Sequence, residues 1–375
     1  MEKREMEWVK PRIKLSHHVI ANPQGDICIG EIPGFSKVVR NAPEWFVSLL
    51  ERLDGSQTLA DLVKEIEGLG HEVTADEIVD TIQSLGQFNL LEDAAAKSTL
   101  LSAEELERYD RQILQFSLFD KKGWPGFAYQ ELLKKSKVLV LGVGGWGTWV
   151  ALQLALLGVG TIRLVDGDEV ELSNLNRQVL YTRDSIGKSK VLAAREKIAE
   201  LNPHVNCEIY NEYVGSEPEQ MEKLLDGASL AILAWTNLGA YRREPVTETF
   251  HRVALNKKIA VIEFAADPLE VIVGPIYLNN DSHPSYFQCQ PKLRSLFYSA
   301  DEQTKSFQEA EIGSDYRDGN RIIERWHSSP PLSIASGMVA DQVTKVLTGY
   351  DDPALVGKRF RLSLRDFQSR IENLY

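Results

Sequence analysis

The sequence predicts an α/β fold whose centre is a doubly wound, mainly parallel sheet. An apolar run at 137–141 is followed by a glycine-rich turn and an apolar helical stretch, as in a buried parallel strand that leads into a helix. Short apolar strands and helices then alternate as far as residue 278. Before residue 95 the pattern differs, because short β-branched segments precede three amphipathic helical stretches. We therefore expect a Rossmann-like domain preceded by a small winged-helix-like α+β domain.

The glycine-rich turn has the composition of a nucleotide-binding loop. Its glycines are Gly142, Gly144, Gly145 and Gly147. Glycine lets the backbone approach a phosphate, and the N-terminus of the following helix supplies N–H groups and a positive dipole end. The second strand, 161–165, ends at Asp166, where an acid is placed to bind a ribose hydroxyl. Taken alone, these features are equally typical of an NAD-dependent dehydrogenase.

The residues that follow Asp166 favour chemistry at phosphate over hydride transfer. This stretch contains Asp168, Asn174, Arg177, Lys188 and Lys190. A nicotinamide ring needs a smooth apolar wall, whereas cations neutralise charge that develops on a phosphate during phosphoryl or adenylyl transfer. The loop is therefore expected to hold a nucleotide whose phosphates react.

At these residues the chain resembles the adenylating enzymes related to ubiquitin-activating enzyme, the ThiF, MoeB and MccB group. The shared motifs are Arg108-Tyr-Asp-Arg111, the glycine loop at 142–147, Asp166-x-Asp168, Ser-Asn-x-x-Arg-Gln at 173–178, and Gly187-x-x-Lys190. The likeness covers residues 104–273 well and the remaining C-terminal part loosely. It implies that a substrate carboxylate attacks the α-phosphate of ATP and gives an acyl-adenylate and pyrophosphate.

The resemblance also implies a role for each site residue. The glycines would hold the phosphates and make room for the ribose, which Asp166 would bind. The residues facing the triphosphate would be Asn174, Arg177 and Lys190. Arg111 would reach the phosphates from the partner subunit of a homodimer. Arg111, Arg177 and Lys190 are thus the catalytic candidates, and the implied cofactors are ATP and Mg²⁺.

Simpler interpretations remain for some of these residues. Asp166 is also suited to capping a strand end, Arg111 to a surface ion pair, and Lys188 to full solvation.

The chain departs from the family pattern at its expected metal positions. Where relatives have an aspartate that holds magnesium, this chain has Asn237, and an amide is a poorer magnesium ligand than a carboxylate. Asp168 or the triphosphate itself would have to compensate.

Many relatives bind zinc through two Cys-x-x-Cys pairs, but here Tyr286 precedes a lone Cys289, so we expect no zinc and no metal-ligating set. No clear catalytic cysteine is visible either, because Cys207 is typical of a strand core and Cys289 is expected in a loop.

The N-terminal region, residues 1–95, resembles PqqD-like peptide-recognition domains. The likeness rests on Ala42-Pro-Glu-Trp-Phe, on the stretch from Leu53-Asp-Gly55 to Ile66, and on the ending Leu85-Gly-Gln-Phe-Asn-Leu-Leu91. In that family a leader peptide adds as a strand to the edge of the small sheet, through main-chain hydrogen bonds. A DNA-binding winged helix and a plain scaffold are the alternatives. Residues 96–375 would form the adenylating domain, with a crossover or lid segment at 279–331, where periodicity is weak.

The overall composition limits the classes of partner and the cellular compartments that are expected for this protein. A formal charge of −12 with no basic stripe argues against nucleic acid as the main partner. Three widely spaced cysteines give no disulfide framework, and no apolar segment is long enough to cross a membrane. No signal peptide is apparent, so a cytoplasmic location is expected.

The combined resemblance implies a peptide-antibiotic tailoring enzyme. A ribosomal precursor peptide would bind through its leader to the N-terminal domain, and an activated glutamate would then undergo dehydrative cyclisation. Three alternatives remain open: a leader-docking subunit that lost ATP turnover, an activator of a small carrier protein, and a tRNA-modifying dehydratase. A carrier activator should show a reactive cysteine and zinc, whereas a docking subunit has no need for so many phosphate-facing charges.

Overall fold

The computed structural model describes residues 8–119, 124–234, 244–266, 269–298 and 327–375, with a few short stretches between 302 and 322. The chain divides into two compact units, Met1–Leu132 and Leu133–Tyr375. Each unit has its own hydrophobic core.

The first unit begins with short strands and continues with helices. Its strands are β1 (Pro11–Ile13), β2 (Val19–Ala21), β3 (Ile27–Ile29), β4 (Lys37–Val39) and β5 (Leu91–Asp93). Its helices are α1 (Glu44–Arg52), α2 (Leu59–Gly68), α3 (Ala75–Gln87), α4 (Ala103–Arg108), α5 (Asp110–Phe119) and α6 (Gly126–Lys135), the last of which continues into the second unit. Strands β2, β3 and β4 form an antiparallel sheet in that order, and β1 pairs with β5. The predicted small α+β arrangement is confirmed.

Alternation along β3 and cap residues on the helices explain why this unit folds. Ile27 and Ile29 point to one side of the sheet and are buried with the apolar faces of α1, α2 and α3. Thr58 caps α2 by accepting a hydrogen bond from the amide of Asp61, and Thr74 forms a capping box with Glu77 at α3.

The second unit is built on an eight-stranded sheet. Its strands are β6 (Lys137–Leu141), β7 (Thr161–Val165), β8 (Asn206–Tyr210), β9 (Leu230–Leu233), β10 (Ala260–Ala266), β11 (Glu270–Tyr277), β14 (Lys358–Ser363) and β15 (Ser369–Asn373), and two-residue strands β12 (Arg317–Asp318) and β13 (Arg321–Ile322) pair separately. Its helices are α7 (Gly145–Leu157), α8 (Lys190–Leu201), α9 (Pro218–Leu225), α10 (Glu244–Asn256), α11 (Tyr286–Tyr298) and α12 (Ser329–Thr348). The strand order is β15-β14-β11-β10-β9-β6-β7-β8.

The doubly wound arrangement is confirmed, with an antiparallel extension at one edge. Strands β8, β7, β6, β9 and β10 run parallel, while β11, β14 and β15 continue the sheet antiparallel. Because α7 follows β6 directly, the carboxyl end of β6 and the N-terminus of α7 meet where the strand order reverses. A crevice at such a switch point is where ligands bind in this class of sheet.

The segment at 279–331, where periodicity is weak, contains helix α11, and its role as a crossover or lid stays a prediction. The motif that carries Arg108 and Arg111 is divided at Tyr109 between α4 and α5. One local expectation from the sequence is wrong. Cys289 was expected in a loop and instead lies buried within α11. Among the residues that the structure describes, no helix is both long and apolar enough to cross a membrane.

Candidate active site

A cavity of about 720 Å³ opens at the carboxyl ends of β6, β7 and β9 in the second unit. The glycine loop, the end of β7, the turn at 171–178 and the start of α8 form most of its wall. Its charged lining residues are Asp166, Asp168, Glu169, Glu171, Arg177, Lys190 and Glu212. Five carboxylates therefore face two cations, and a polyphosphate entering this cavity needs additional positive charge.

The backbone of the glycine loop is held in place from several sides. Gly142 has a φ of +91°, which favours glycine, and its amide donates to the carbonyl of Val165 at 2.8 Å. A Cβ on Gly147 would lie 1.8 Å from the carbonyl oxygen of Gly142. Gly144 is the N-cap of α7 and supplies no side-chain cap, so the first-turn amides of α7 stay available to an anion at the cavity.

Asp166 ties the glycine loop to the end of β7. One carboxylate oxygen accepts from the amide of Val143 at 2.7 Å, and the other accepts from the amide of Asp168 at 2.9 Å. The hydroxyl of Tyr181 donates to the carbonyl of Val143 at 2.6 Å. Burial, together with the charges of Asp166 and Asp168, raises the pKa of Tyr181 well above its usual value, so this hydroxyl stays a donor.

Lys190 is buried at the start of α8 and aims its ammonium group at the cavity wall. Its Nζ lies 2.7 Å from Oδ2 of Asp168, while Oδ1 of Asp168 accepts from the hydroxyl of Tyr213 at 2.8 Å. That hydrogen bond raises the pKa of Tyr213 above its usual value. Asp168 therefore orients the cation on one side and holds the phenol on the other.

The turn at 171–178 carries two further predicted residues. The carboxamide oxygen of Asn174 accepts from the amide of Glu171 at 3.1 Å, which closes the turn. Arg177 donates from its guanidinium to the carbonyl of Ser173 at 2.8 Å, and its own carbonyl accepts from the indole of Trp149 at 3.0 Å. The turn is thus pinned to α7 and presents Arg177 at the cavity.

The cavity brings together most of the residues that the sequence singled out. Those in its lining are Gly142, Gly144, Gly145, Asp166, Asp168, Asn174, Arg177 and Lys190. Gly147 lies beneath the loop instead, in contact with Gly142. Arg111 belongs to the first unit, where its exposed guanidinium pairs with Asp110 at 3.2 Å. Asn237 lies outside the described residues. The roles assigned to all of these site residues stay predictions.

Several lining residues had not been predicted. They are Trp146, Val165, Gly167, Glu169, Glu171, Gln178, Glu212, Tyr213, Val214, Ala234 and His327. Gln178 belongs to the quoted Arg-Gln motif, so its neighbour Arg177 was a usable signal. Tyr213 and His327 are distant in sequence from every motif, and no local pattern identifies them.

The cysteines have the properties of core residues. Burial raises the pKa of Cys207 to about 12, and burial together with the charge of Glu263 raises the pKa of Cys289 to about 11. Tyr286 occupies the position where zinc-binding relatives have the first cysteine of a Cys-x-x-Cys pair, and its ring stacks on that of His251 with centroids 4.0 Å apart. The thiols of Cys207 and Cys289 therefore remain protonated near neutral pH, which makes them poor nucleophiles.

The carboxylate oxygens that line the cavity are suited to a magnesium ion that enters bound to a nucleotide. Within the described ranges, no group of three or more histidine, cysteine or acidic side chains is arranged to hold a metal ion. Mg²⁺ at nucleotide sites is usually bound by one or two carboxylates together with phosphate oxygens. The carboxylate of Asp168, about half exposed at the wall, fits that requirement.

Comparison with known proteins agrees with this geometry. The model of the ThiF family matches residues 109–374. The chain belongs to the ThiF family. A second model, the PaaA-like N-terminal domain, matches residues 16–75.

Relatives of this ThiF-family protein differ in how much of the chain they match. Molybdopterin-synthase adenylyltransferase of Escherichia coli is 30% identical over 68% of this chain and 87% of its own length. The vegetative HesA protein of Trichormus variabilis is 40% identical, but over 37% of this chain. The chain spans about half the length of the two HesA proteins that it matches.

Solved structures extend the likeness to nearly the whole chain. The crystal structure of PaaA is 43% identical, with a TM-score of 0.78, and the match covers 96% of this chain and 98% of PaaA. MccB of Escherichia coli in complex with ATP is 18% identical, with a TM-score of 0.70 and 97% of each chain covered. The likeness to MccB concerns the fold.

Proposed function

We propose that this protein is an ATP-dependent tailoring enzyme that activates a carboxylate of a ribosomal precursor peptide, a glutamate, as an acyl-adenylate for dehydrative cyclisation. The observation that carries the proposal is the cavity, in which a glycine loop, an uncapped helix N-terminus and two cations converge. Adenylyltransferases among the relatives support the adenylation step. The resemblance of residues 1–95 to peptide-recognition domains supports a peptide substrate.

The residues of the cavity support adenylation by positioning and charge. The first-turn amides of α7 would bind phosphate oxygens, and Arg177 and Lys190 would neutralise charge as the carboxylate oxygen bonds to the α-phosphorus and pyrophosphate leaves. Asp168 would hold Mg²⁺, which supplies further positive charge at the phosphates. A nucleophile of the peptide then attacks the acyl carbon and AMP leaves.

Arg111 would complete the site from the partner subunit of a homodimer. Its guanidinium is 91% exposed and pairs with the neighbouring acid Asp110, so it is available to a second subunit. An exposed pair of this kind contributes little stability, so breaking it to reach a phosphate costs little. Asn237 would stand beside the nucleotide, in the position of the family's magnesium aspartate.

The N-terminal domain, residues 1–95, would recognise the leader, and residues 96–375 would form the adenylating domain. The small sheet has β2 and β4 as its outer strands, and each offers main-chain groups to an added strand. The match of residues 16–75 to the PaaA-like N-terminal domain supports this assignment. MccB, which shares the fold, has been crystallised with N-formylated MccA.

The decisive experiment mixes the protein, magnesium-ATP and the candidate peptide, then measures nucleotide products and peptide mass together. We expect AMP and pyrophosphate only with the full-length peptide, and a loss of water from the peptide. Omitting Mg²⁺ should abolish turnover, since the cavity lining is itself negative. Formation of ADP and phosphate would contradict attack on the α-phosphate.

A non-catalytic docking subunit is the second candidate, and Asn237 is the observation that favours it. For that candidate the same assay should show tight peptide binding without nucleotide consumption. Pyrophosphate exchange into ATP in the presence of peptide would exclude it, because a docking subunit makes no adenylate.

A further inference from the structure

Tyr213 is an exposed aromatic residue on the cavity wall that the adenylation chemistry does not use. Its side chain is 73% exposed, yet it is held at several points. Its hydroxyl donates to Asp168 at 2.8 Å, and its carbonyl oxygen accepts from Nε2 of Gln220 at 3.0 Å. An aromatic side chain that is fixed without being buried presents a rigid apolar surface to whatever enters the cavity.

The ring of Tyr213 has one covered face and one open face. A Cβ on Gly167 would lie 2.8 to 2.9 Å from three of the ring atoms, so the ring rests against the main chain at Gly167. The large exposed fraction leaves the opposite face open. Glycine at position 167 is therefore needed for the ring to lie flat on this part of the wall.

The ring of Tyr213 lies where the base of a bound nucleotide is expected. Gly167 directly follows Asp166, the residue expected to bind the ribose, and both line the cavity with Tyr213. The base is attached to that ribose and is the only planar, apolar part of ATP. The phosphates would extend the other way, toward the glycine loop and Arg177. An open aromatic face beside the ribose site matches the chemistry of a purine face.

We propose that Tyr213 is the stacking platform for the adenine of ATP and that Gly167 is the residue that lets the ring lie in place. This inference rests on the proposed function, because it assumes that the cavity binds ATP. Stacking of a base on an aromatic ring contributes on the order of a tenfold to hundredfold gain in affinity. The hydroxyl of Tyr213 orients the ring through Asp168 and is secondary to the stacking.

Calorimetric titration with two ligands separates stacking from charge. Magnesium-ATP carries the base, whereas magnesium tripolyphosphate carries only the phosphates. We expect Tyr213→Ala to weaken ATP binding about tenfold to hundredfold and to leave tripolyphosphate affinity within about twofold. Tyr213→Phe keeps the ring and should bind ATP within about threefold of the parent protein. Tyr375→Ala, which removes an equally exposed tyrosine outside the cavity lining, should change neither affinity.

A second variant tests the glycine. Gly167→Ala places a methyl group against the ring and should weaken ATP binding as Tyr213→Ala does. The double variant should show no additional loss, since both changes remove the same contact. Additive losses in the double variant would contradict the role of Gly167.

The remaining outcomes discriminate between the two proposals. Unchanged ATP affinity in Tyr213→Ala overturns the stacking platform. Equal losses for ATP and tripolyphosphate also overturn it, because they would mean that Tyr213 acts on the phosphates through Asp168 and Lys190. If the parent protein binds neither ligand and shows no pyrophosphate exchange, the proposed function fails and the platform fails with it.

Discussion

Gly147→Ala is the change for which the structure sets the clearest expectation. The added Cβ would lie 1.8 Å from the carbonyl oxygen of Gly142, whereas contacts of real Cβ atoms do not fall below 3.0 Å. Either the glycine loop or the first turn of α7 must therefore move by at least about 1.2 Å. The contact is with main chain on both sides, so no side-chain rotation can relieve it.

The magnitude follows from the hydrogen bonds that hold the loop. Movement of Gly142 strains its bond to Val165, the bond from Val143 to Asp166 and the bond from Tyr181 to Val143. Each bond contributes roughly 0.5–1.5 kcal/mol net, so losing two or three costs about 1–4.5 kcal/mol of unfolding free energy. The first-turn amides of α7 also lose their alignment, and ATP affinity should fall more than about tenfold.

The assay combines thermal unfolding with titration of magnesium-ATP. Gly337→Ala is the matched control, because Gly337 lies in α12 with no atom near its would-be Cβ. That control should be stabilised by about 0.5–1 kcal/mol, since alanine is favoured over glycine inside a helix. Unchanged stability and ATP affinity in Gly147→Ala would refute the view that close main-chain packing at Gly147 holds the glycine loop in its binding conformation.

Three further predictions concern groups outside the cavity lining. Arg163→Met should lower the unfolding free energy by about 3–5 kcal/mol in chemical denaturation, because it leaves the Glu208 carboxylate and two carbonyls without the guanidinium that they share. Burial acts to raise the pKa of Glu208, but hydrogen bonds from Lys137 and Arg163 outweigh it and lower the pKa. The ionised carboxylate therefore stabilises the fold fully above the ordinary pKa of about 4.5, and this stabilisation is lost as the pH falls below that value. Glu208→Gln should accordingly flatten the acid limb of a plot of unfolding free energy against pH. Cys207 and Cys289 should resist iodoacetamide at pH 7.5 in the native protein and react after unfolding, as followed by peptide mass; rapid native labelling of Cys289 would instead favour a carrier-activating enzyme.

Local sequence signals were sufficient for much of the nucleotide half of the molecule. The strands at 137–141 and 161–165 form at the predicted residues, because a run of buried apolar residues between a helix end and a glycine turn has few alternatives. The caps at Thr58, Thr74 and Ser102 are likewise specified locally, since each capping interaction involves only residues three positions apart.

Two elements were missed because their stability comes from distant residues. Helix α11 contains Pro291, which normally argues against a helix, and it forms where Tyr286 and Cys289 pack onto the core of the second unit. Strand β15 is short, polar and exposed, so its sequence does not indicate a strand. It pairs with β14 through cross-strand contacts such as Arg359 to Glu372 at 2.7 Å.

The sequence by itself determined the fold class, the glycine loop, the cation-bearing turn and the family resemblance, because each depends on residues close together along the chain. Only the tertiary structure decided which side chains share a cavity. It placed Lys190 on Asp168 and brought Tyr213 onto Gly167. These juxtapositions arise because parallel strands align their carboxyl ends, which joins residues that are about 20 to 70 positions apart, and no local pattern encodes that distance.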